Sequence, residues 1–228
     1  MNRVVLLGKG SLAIRVAEWI HDSSTYSLAA VVPVVPEPSW TASLIEWCRS
    51  NDVRYVSTGH FVDVDEIIGD ERIGLALSIF YNRIIGPEFI DRCDRILNLH
   101  NAPLPRYRGK SPINWALKNG EDHHGVTLHE ITPGIDDGPI VAQVTYSIYP
   151  DFDEVIDVYE RSLAYAWTLV EQILPPPVLN RIEPRPQDES RATYYSGDQD
   201  ELLGERRDFT REQSRARRGG RRERHVGP

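Results

Sequence analysis

The chain has 228 residues, 40% of them hydrophobic and 26% charged, and a formal charge of −8. That length supports one well-formed core rather than two full domains; no run of about 18 apolar residues offers a membrane span; and the acidic balance argues against nonspecific attraction to nucleic acid. Cys48 and Cys93 share neither metal-ligand nor redox spacing and read as free thiols, and the apolar stretch after Met1 is too short for a secretory segment, so the expectation is a soluble, cytoplasmic protein.

Residues 4–7 are a short apolar run that predicts a first strand. Gly8-Lys9-Gly10-Ser11 then turns into a helix-period segment with Leu12, Val16, Trp19 and Ile20 on one side and Ser11 as its N-cap. Two readings of this turn stand side by side: an anion site built on backbone amides, or a simple tight turn. The third glycine of the dinucleotide fingerprint is missing and no Gly-Lys-Ser/Thr closes a Walker sequence, so neither NAD nor ATP follows. Strands are expected at 28–35, 53–56, 74–80 and 96–100, with helices at 41–49 and 62–68 between them. This alternation predicts an α/β protein: a Rossmann-like open, mostly parallel sheet flanked by helices, with ligands at the carboxyl ends of its strands, where Gly8 and Asn98 fall.

At 96–100, Ile-Leu-Asn-Leu-His, the period of two puts Asn98 and His100 on one face of the strand. A histidine at a strand end is as a rule a hydrogen-bonded structural residue, so the pair needs a third element. Pro133-Gly134-Ile135-Asp136-Asp137-Gly138-Pro139, just before an expected strand at 140–146, supplies two acids, although Asp-Asp-Gly by composition is also a plain turn. Glu121-Asp122-His123-His124 reads as a surface loop, and these histidines with His129 lack zinc spacing, so no metal is expected. Val155, Tyr159, Leu163, Trp167 and Val170 mark a helix whose apolar face serves the core or a homodimer. Leu174-Pro175-Pro176-Pro177 closes it.

The stretch "NLHNAPLPRYRGKSPINWALKNGEDHHGVTLHEITPGIDDGPIVAQ", residues 98–143, carries Asn-x-His, Leu-Pro-x-x-x-Gly, Gly-Val-Thr and Gly-Ile-Asp-x-Gly followed by Pro-Ile. In that order these motifs resemble the core of the folate-dependent formyltransferases, a family that includes the methionyl-tRNA, glycinamide ribonucleotide and sugar N-formyltransferases. A looser similarity runs over residues 1–175 and includes "FYNRII" at 80–85. The resemblance implies Asn98, His100 and Asp136 as the catalytic three. It further implies 10-formyltetrahydrofolate as cosubstrate, held by Phe80, Tyr81, Asn82, Arg83, Ile84 and Ile85 with Gly134, Ile135 and Asp137. Gly10, Ser11, Arg106, Tyr107, Arg108 and Trp115 are expected at the acceptor, the arginines free to meet anionic groups and the aromatic rings available to stack. In the implied chemistry Asn98 donates to the oxyanion on the formyl oxygen. His100 either stabilises that oxyanion as a cation or moves protons, and Asp136 holds the imidazole.

Ala102 stands where many members have serine, and Gly10-Ser11-Leu12 lacks the asparagine of the glycinamide ribonucleotide enzymes. The methionyl-tRNA enzymes add a second, tRNA-gripping domain, whereas about 50 residues follow Pro177 here. "ATYYSGDQDEL" at 192–202 is similar to the stretch that follows the core in several sugar N-formyltransferases. The division expected is therefore a formyltransferase domain at 1–178, a C-terminal extension at 179–205, and a disordered arginine-rich tail at 206–228. The activity expected is N-formylation of a dTDP- or GDP-linked 4-amino-4,6-dideoxy sugar for surface polysaccharide, without nucleic-acid or membrane partners. Glycinamide ribonucleotide or methionyl-tRNA formylation, formyltetrahydrofolate hydrolysis and a noncatalytic binding role are the alternatives.

Overall fold

The computed structural model describes residues 2–203; the arginine-rich stretch 206–228 lies outside the described residues. In chain order the elements are β1 Asn2–Gly8, α1 Gly10–His21, β2 Tyr26–Pro33, α2 Leu44–Ser50, α3 Asp65–Ile68, β3 Leu75–Ile79, α4 Pro87–Asp91 and β4 Ile96–His100. They continue with β5 Arg108–Gly109, α5 Pro112–Lys118, β6 His123–Glu130, β7 Ile140–Ser147, α6 Val155–Ile173, α7 Pro176–Leu179 and β8 Tyr194–Tyr195. Six strands form one sheet in the order β2-β1-β3-β4-β6-β7. The first four are mutually parallel, and β6 and β7 complete the sheet antiparallel.

Continuous apolar strands are what a sheet covered on both faces requires. Val4 and Leu6 of β1 pack with Leu12, Val16 and Ile20 of α1 and with Ala166, Leu169 and Val170 of α6. Val5 and Leu7, one residue out of phase, meet Phe61, Val64, Ile68 and Phe89 on the opposite face. On α6 the buried line is Val158, Ser162, Ala166, Leu169 and Val170. Of the expected apolar stripe, Tyr159, Leu163 and Trp167 flank this line half-buried, because small Ser162 and Ala166 are what the close approach admits.

Several element limits differ from expectation for local reasons. Lys9, not Ser11, is the N-cap of α1, without a side-chain cap bond. Helix α2 starts at Leu44 rather than 41 because the Ser43 hydroxyl accepts from Glu46 N at 3.0 Å and the Glu37 carboxylate accepts from Leu44 N at 2.7 Å. The expected strand at 53–56 contributes one bridge, Tyr55 to Val31. The expected helix at 62–68 splits into a 3-10 turn, Phe61–Val64, and α3, which ends at Gly69 with φ +61°. Glu121-Asp122-His123-His124 is not a surface loop: β6 begins at His123, and His124 is fully buried between the rings of Tyr107 and Tyr146. No helix among the described residues is long and apolar enough to cross a membrane.

Candidate active site

On β4, Leu97 and Leu99 enter the core beneath α6, so the alternation turns Asn98 and His100 to the opposite face. The antiparallel pairing with β6 sets Asn98 opposite His129 and His100 opposite Thr127. Side chains directly opposite in such a ladder share a face. Past β6 the 131–139 connection is tied to β4, the Ile131 amide donating to the Ile96 carbonyl at 3.1 Å, and it places Asp136 within 3.5 Å of both His100 and His129.

The resulting cluster is tight. Asn98 Nδ2 lies 3.1 Å from His129 Nε2 and donates to Asp136 Oδ1 at 3.3 Å. His100 Nδ1 is 3.5 Å from Asp136 Oδ2, an ion-pair distance, and His129 Nε2 is 3.5 Å from Oδ1. The Gly109 amide donates to Asp136 Oδ2 at 2.9 Å. Burial by itself would raise the Asp136 carboxyl, but His100 and the Gly109 amide outweigh it and hold the group below the usual carboxylate range. Asp136 is an anion in this site.

Each ring nitrogen has a readable role. His129 Nδ1 donates to the Glu130 carbonyl at 2.8 Å, leaving Nε2 to accept from Asn98. His100 Nε2 donates to the Tyr107 carbonyl at 2.7 Å while Nδ1 faces the Asp136 carboxylate at 3.5 Å. The cluster thus combines an oriented amide donor, an imidazole held between a carbonyl and a carboxylate, and a fixed carboxylate. Such a set can polarise a carbonyl oxygen and compensate the charge that gathers there.

His129 was missed by sequence reasoning, which weighed it only as a zinc ligand. Its signal is nonlocal: the strand pairing, not the spacing, brings it to Asn98. Of the residues expected to line the folate site, Phe80 leaves β3 with a left-handed φ of +57° and starts a loop on which Asn82, Arg83 and Ile84 are exposed. Ile84 is 71% exposed, Ile85 is buried, and Tyr81 donates its hydroxyl hydrogen to the Gly59 carbonyl at 2.7 Å. Gly134 and Ile135 are exposed beside Asp136, and the Asp137 carboxylate is taken by the Thr132 hydroxyl.

Four residues expected at the acceptor have their side chains engaged by other residues of the chain, three of them buried and Arg106 partly exposed. Tyr107 is 2% exposed, its ring is stacked on Tyr195 at 5.6 Å, and only its carbonyl reaches the site. Trp115 is buried and stacks on the other face of Tyr195 at 4.4 Å. Arg106 is paired with Glu121, and Arg108 is buried against Gln187 and Glu189, so neither guanidinium is free. Gly10 and Ser11 remain at the carboxyl end of β1, Gly10 buried with φ +77° and Ser11 exposed. Sequence reasoning did not single out their neighbours Lys9 and Trp40. Burial lowers the Lys9 ammonium, which sits 6.0 Å from the ring of Trp40, itself 61% exposed.

The pattern of the formyl transferase family matches residues 3–174. A methionyl-tRNA formyltransferase from Streptococcus thermophilus is 26% identical over 205 residues, covering 85% of this chain and 65% of the relative. The chain thus spans just under two thirds of that curated relative's length. Among solved structures, the N-formyltransferase from Helicobacter canadensis in complex with folinic acid and dTDP-3-aminofucose superposes with a TM-score of 0.75 at 26% identity, over 87% of this chain and 72% of the other. WlaRD, a sugar 3N-formyl transferase solved with dTDP and 5-N-formyl-THF, gives the same score and identity over 87% and 70%. On the match across residues 3–174, which carries Asn98, His100 and Asp136, this chain belongs to the formyl transferase family.

Proposed function

We propose that this chain transfers a formyl group from 10-formyltetrahydrofolate to the amino group of a nucleotide-linked amino sugar. The observation that carries the reading is the convergence of Asn98, His100 and Asp136 within 3.5 Å contacts on one sheet face. The loops beside them fit a flat, amphipathic donor: Ile84 and Ile135 leave apolar surface exposed, and Asn82 and Arg83 add polar groups. Phe80–Ile85, Gly134, Ile135 and Asp137 would hold the folate, which supplies an activated formyl group when bound.

Catalysis follows from charge. When the acceptor nitrogen attacks the formyl carbon, negative charge moves onto the formyl oxygen, and the Asn98 amide turns toward it the hydrogen that otherwise meets Asp136, keeping its other hydrogen on His129. His100, doubly hydrogenated and paired with anionic Asp136, adds a positive field without taking the proton itself. The attacking nitrogen then gives its proton to solvent on the open side of the site, the bond between the formyl carbon and N10 of the folate breaks, and N10 takes up a proton as tetrahydrofolate leaves. His129 keeps the Asn98 amide facing the right way.

Acceptor choice rests on the switch point of the sheet, between β1 and β3, where ligands of open α/β proteins collect. Lys9 offers charge for a diphosphate, Gly10 and Ser11 an adjacent helix start, and Trp40 an exposed ring for a base or sugar. The two solved relatives named above concern 3-amino sugars, whereas the 4-amino-4,6-dideoxy acceptor proposed here is carried over from the resemblance to the sugar N-formyltransferases. The test is mass spectrometry of acceptors incubated with 10-formyltetrahydrofolate and enzyme. The panel holds dTDP- and GDP-linked 3- and 4-amino sugars, glycinamide ribonucleotide and methionyl-tRNA. A gain of one CO on a sugar nucleotide supports the proposal. A gain only on another acceptor, or formate release alone, overturns the substrate assignment.

A further inference from the structure

Catalytic Asp136 has a left-handed backbone, φ +51°, in the exposed 131–139 connection, where a non-glycine residue needs external support to hold one geometry. Its carboxylate is anchored by the Gly109 amide. Its own carbonyl is anchored from a remote part of the chain: Gln187 Nε2 donates to Asp136 O at 2.8 Å and to Gly138 O at 2.7 Å. The same Gln187 turns Oε1 toward Arg108, which donates through Nε at 3.1 Å and Nη2 at 2.8 Å. The other edge of the buried Arg108 guanidinium meets Glu189, through Nη1 to Oε2 at 3.0 Å. Every hydrogen-bonding site of the Gln187 amide group is directed, so the amide cannot flip without losing contacts at both ends.

The segment that carries Gln187 is itself laced to the catalytic strand's continuation. Strand β8 pairs with β5, the Arg108 amide donates to Thr193 O at 2.9 Å, and the Tyr107 amide donates to the Thr193 hydroxyl at 2.7 Å. Tyr195 fills the space between the rings of Tyr107 and Trp115. One strap, residues 185–195, therefore touches both the residue whose carbonyl holds His100 and the residue whose carboxylate faces it. The strap lies beyond residues 3–174, the span of the family match.

We infer that Gln187, oriented by Arg108, is a positioning residue for Asp136, and that the strap is a working part of the active site. The inference rests on the role of Asp136 proposed above. It is tested on the full chain with Gln187→Leu, which removes every contact at similar size, and Gln187→Glu, which keeps the Arg108 partner but sets a carboxylate oxygen against the Asp136 and Gly138 carbonyls. Both variants are expected to remain folded and to lose up to about 100-fold in kcat, with KM for either substrate changed less than about threefold. The acid limb of the kcat profile should move to higher pH, because Asp136 loosened from Gly109 and His100 returns toward the ordinary carboxylate range. Independently of turnover, the Gly109 amide resonance should shift.

Wild-type kcat and pH profile in both variants, with the Gly109 resonance unmoved, would overturn the inference. A rate loss that tracks only the loss of folded protein would overturn it as well. Asp136→Asn separates the two levels: if it keeps the wild-type rate, the reading of the site fails; if it is inactive while the Gln187 variants are normal, only the strap's role fails.

Discussion

His124 makes the fold's acid sensitivity calculable. It is fully buried on β6, its Nε2 donates to the carbonyl of Asn101 at 2.9 Å, and Nδ1 has no hydrogen-bond partner among the described residues. Burial lowers the imidazole to about 4, with the nearby His100 adding to the effect, against 6.5 for the free side chain. The unfolded chain therefore takes up this proton first, and stability rises with pH across the window from about 4 to 6.5. The full contribution is present above 6.5, lost progressively on acidification, and absent below 4. At about 1.4 kcal/mol per pH unit the loss is about 3 kcal/mol, a large fraction of a domain's net stability. Urea unfolding at pH 7, 5.5 and 4 measures it, with His124→Gln as a control that keeps a donor for Asn101 and does not titrate. The wild type should lose about 3 kcal/mol more than the control. Parallel slopes for the two proteins would refute the reasoning. Because Asn101 directly follows His100, the same acidification should loosen the end of β4, and catalytic activity should fall with stability. Asp136, whose carboxyl is held low, adds its own loss only as pH falls below the ordinary carboxylate value.

Three other outcomes follow from the site's geometry. Asn98→Ala, removing the amide donor, should raise the barrier by about 3 kcal/mol, read as a fall of 100-fold or more in kcat, about what loss of one such donor costs. His129→Leu keeps volume but removes the acceptor that orients Asn98; a fall of about tenfold in kcat at nearly constant KM is expected, and an unchanged kcat would remove His129 from the account. Gly109→Ala would set a Cβ 2.1 Å from the Tyr195 carbonyl at φ +89°, so thermal unfolding should show a loss of about 2 kcal/mol or more, with β5 parted from β8.

Much of this was legible in the sequence because it is local. Alternating apolar runs and glycine turns gave the parallel sheet, and the two-residue spacing of Asn98 and His100 gave their common face. What escaped depends on distant pairing. His129 joins the site only through its register with Asn98 across β4 and β6, and the polar look of Glu121-Asp122-His123-His124 conceals a strand whose second residue is the most deeply buried histidine among the described residues. Tyr107, Arg108 and Trp115 looked available because their partners, Tyr195, Gln187 and Glu189, lie some 80 residues away in sequence. Local composition carries no trace of such partners. Helix limits failed by a few residues where capping by Ser43 and Glu37, rather than apolar period, decides the start.

The central claim is that Asn98, His100 and Asp136 carry formyl transfer. The most direct test is single-turnover transfer from 10-formyltetrahydrofolate to the preferred acceptor, comparing wild type with His100→Ala and Asp136→Asn after thermal unfolding has verified that each variant is folded. The account expects the transfer rate to fall by about 1,000-fold or more in each, with acceptor binding retained. A fall of less than about tenfold in folded variants would contradict it, because a site that works by preorganised charge cannot lose its cation or its anion so cheaply.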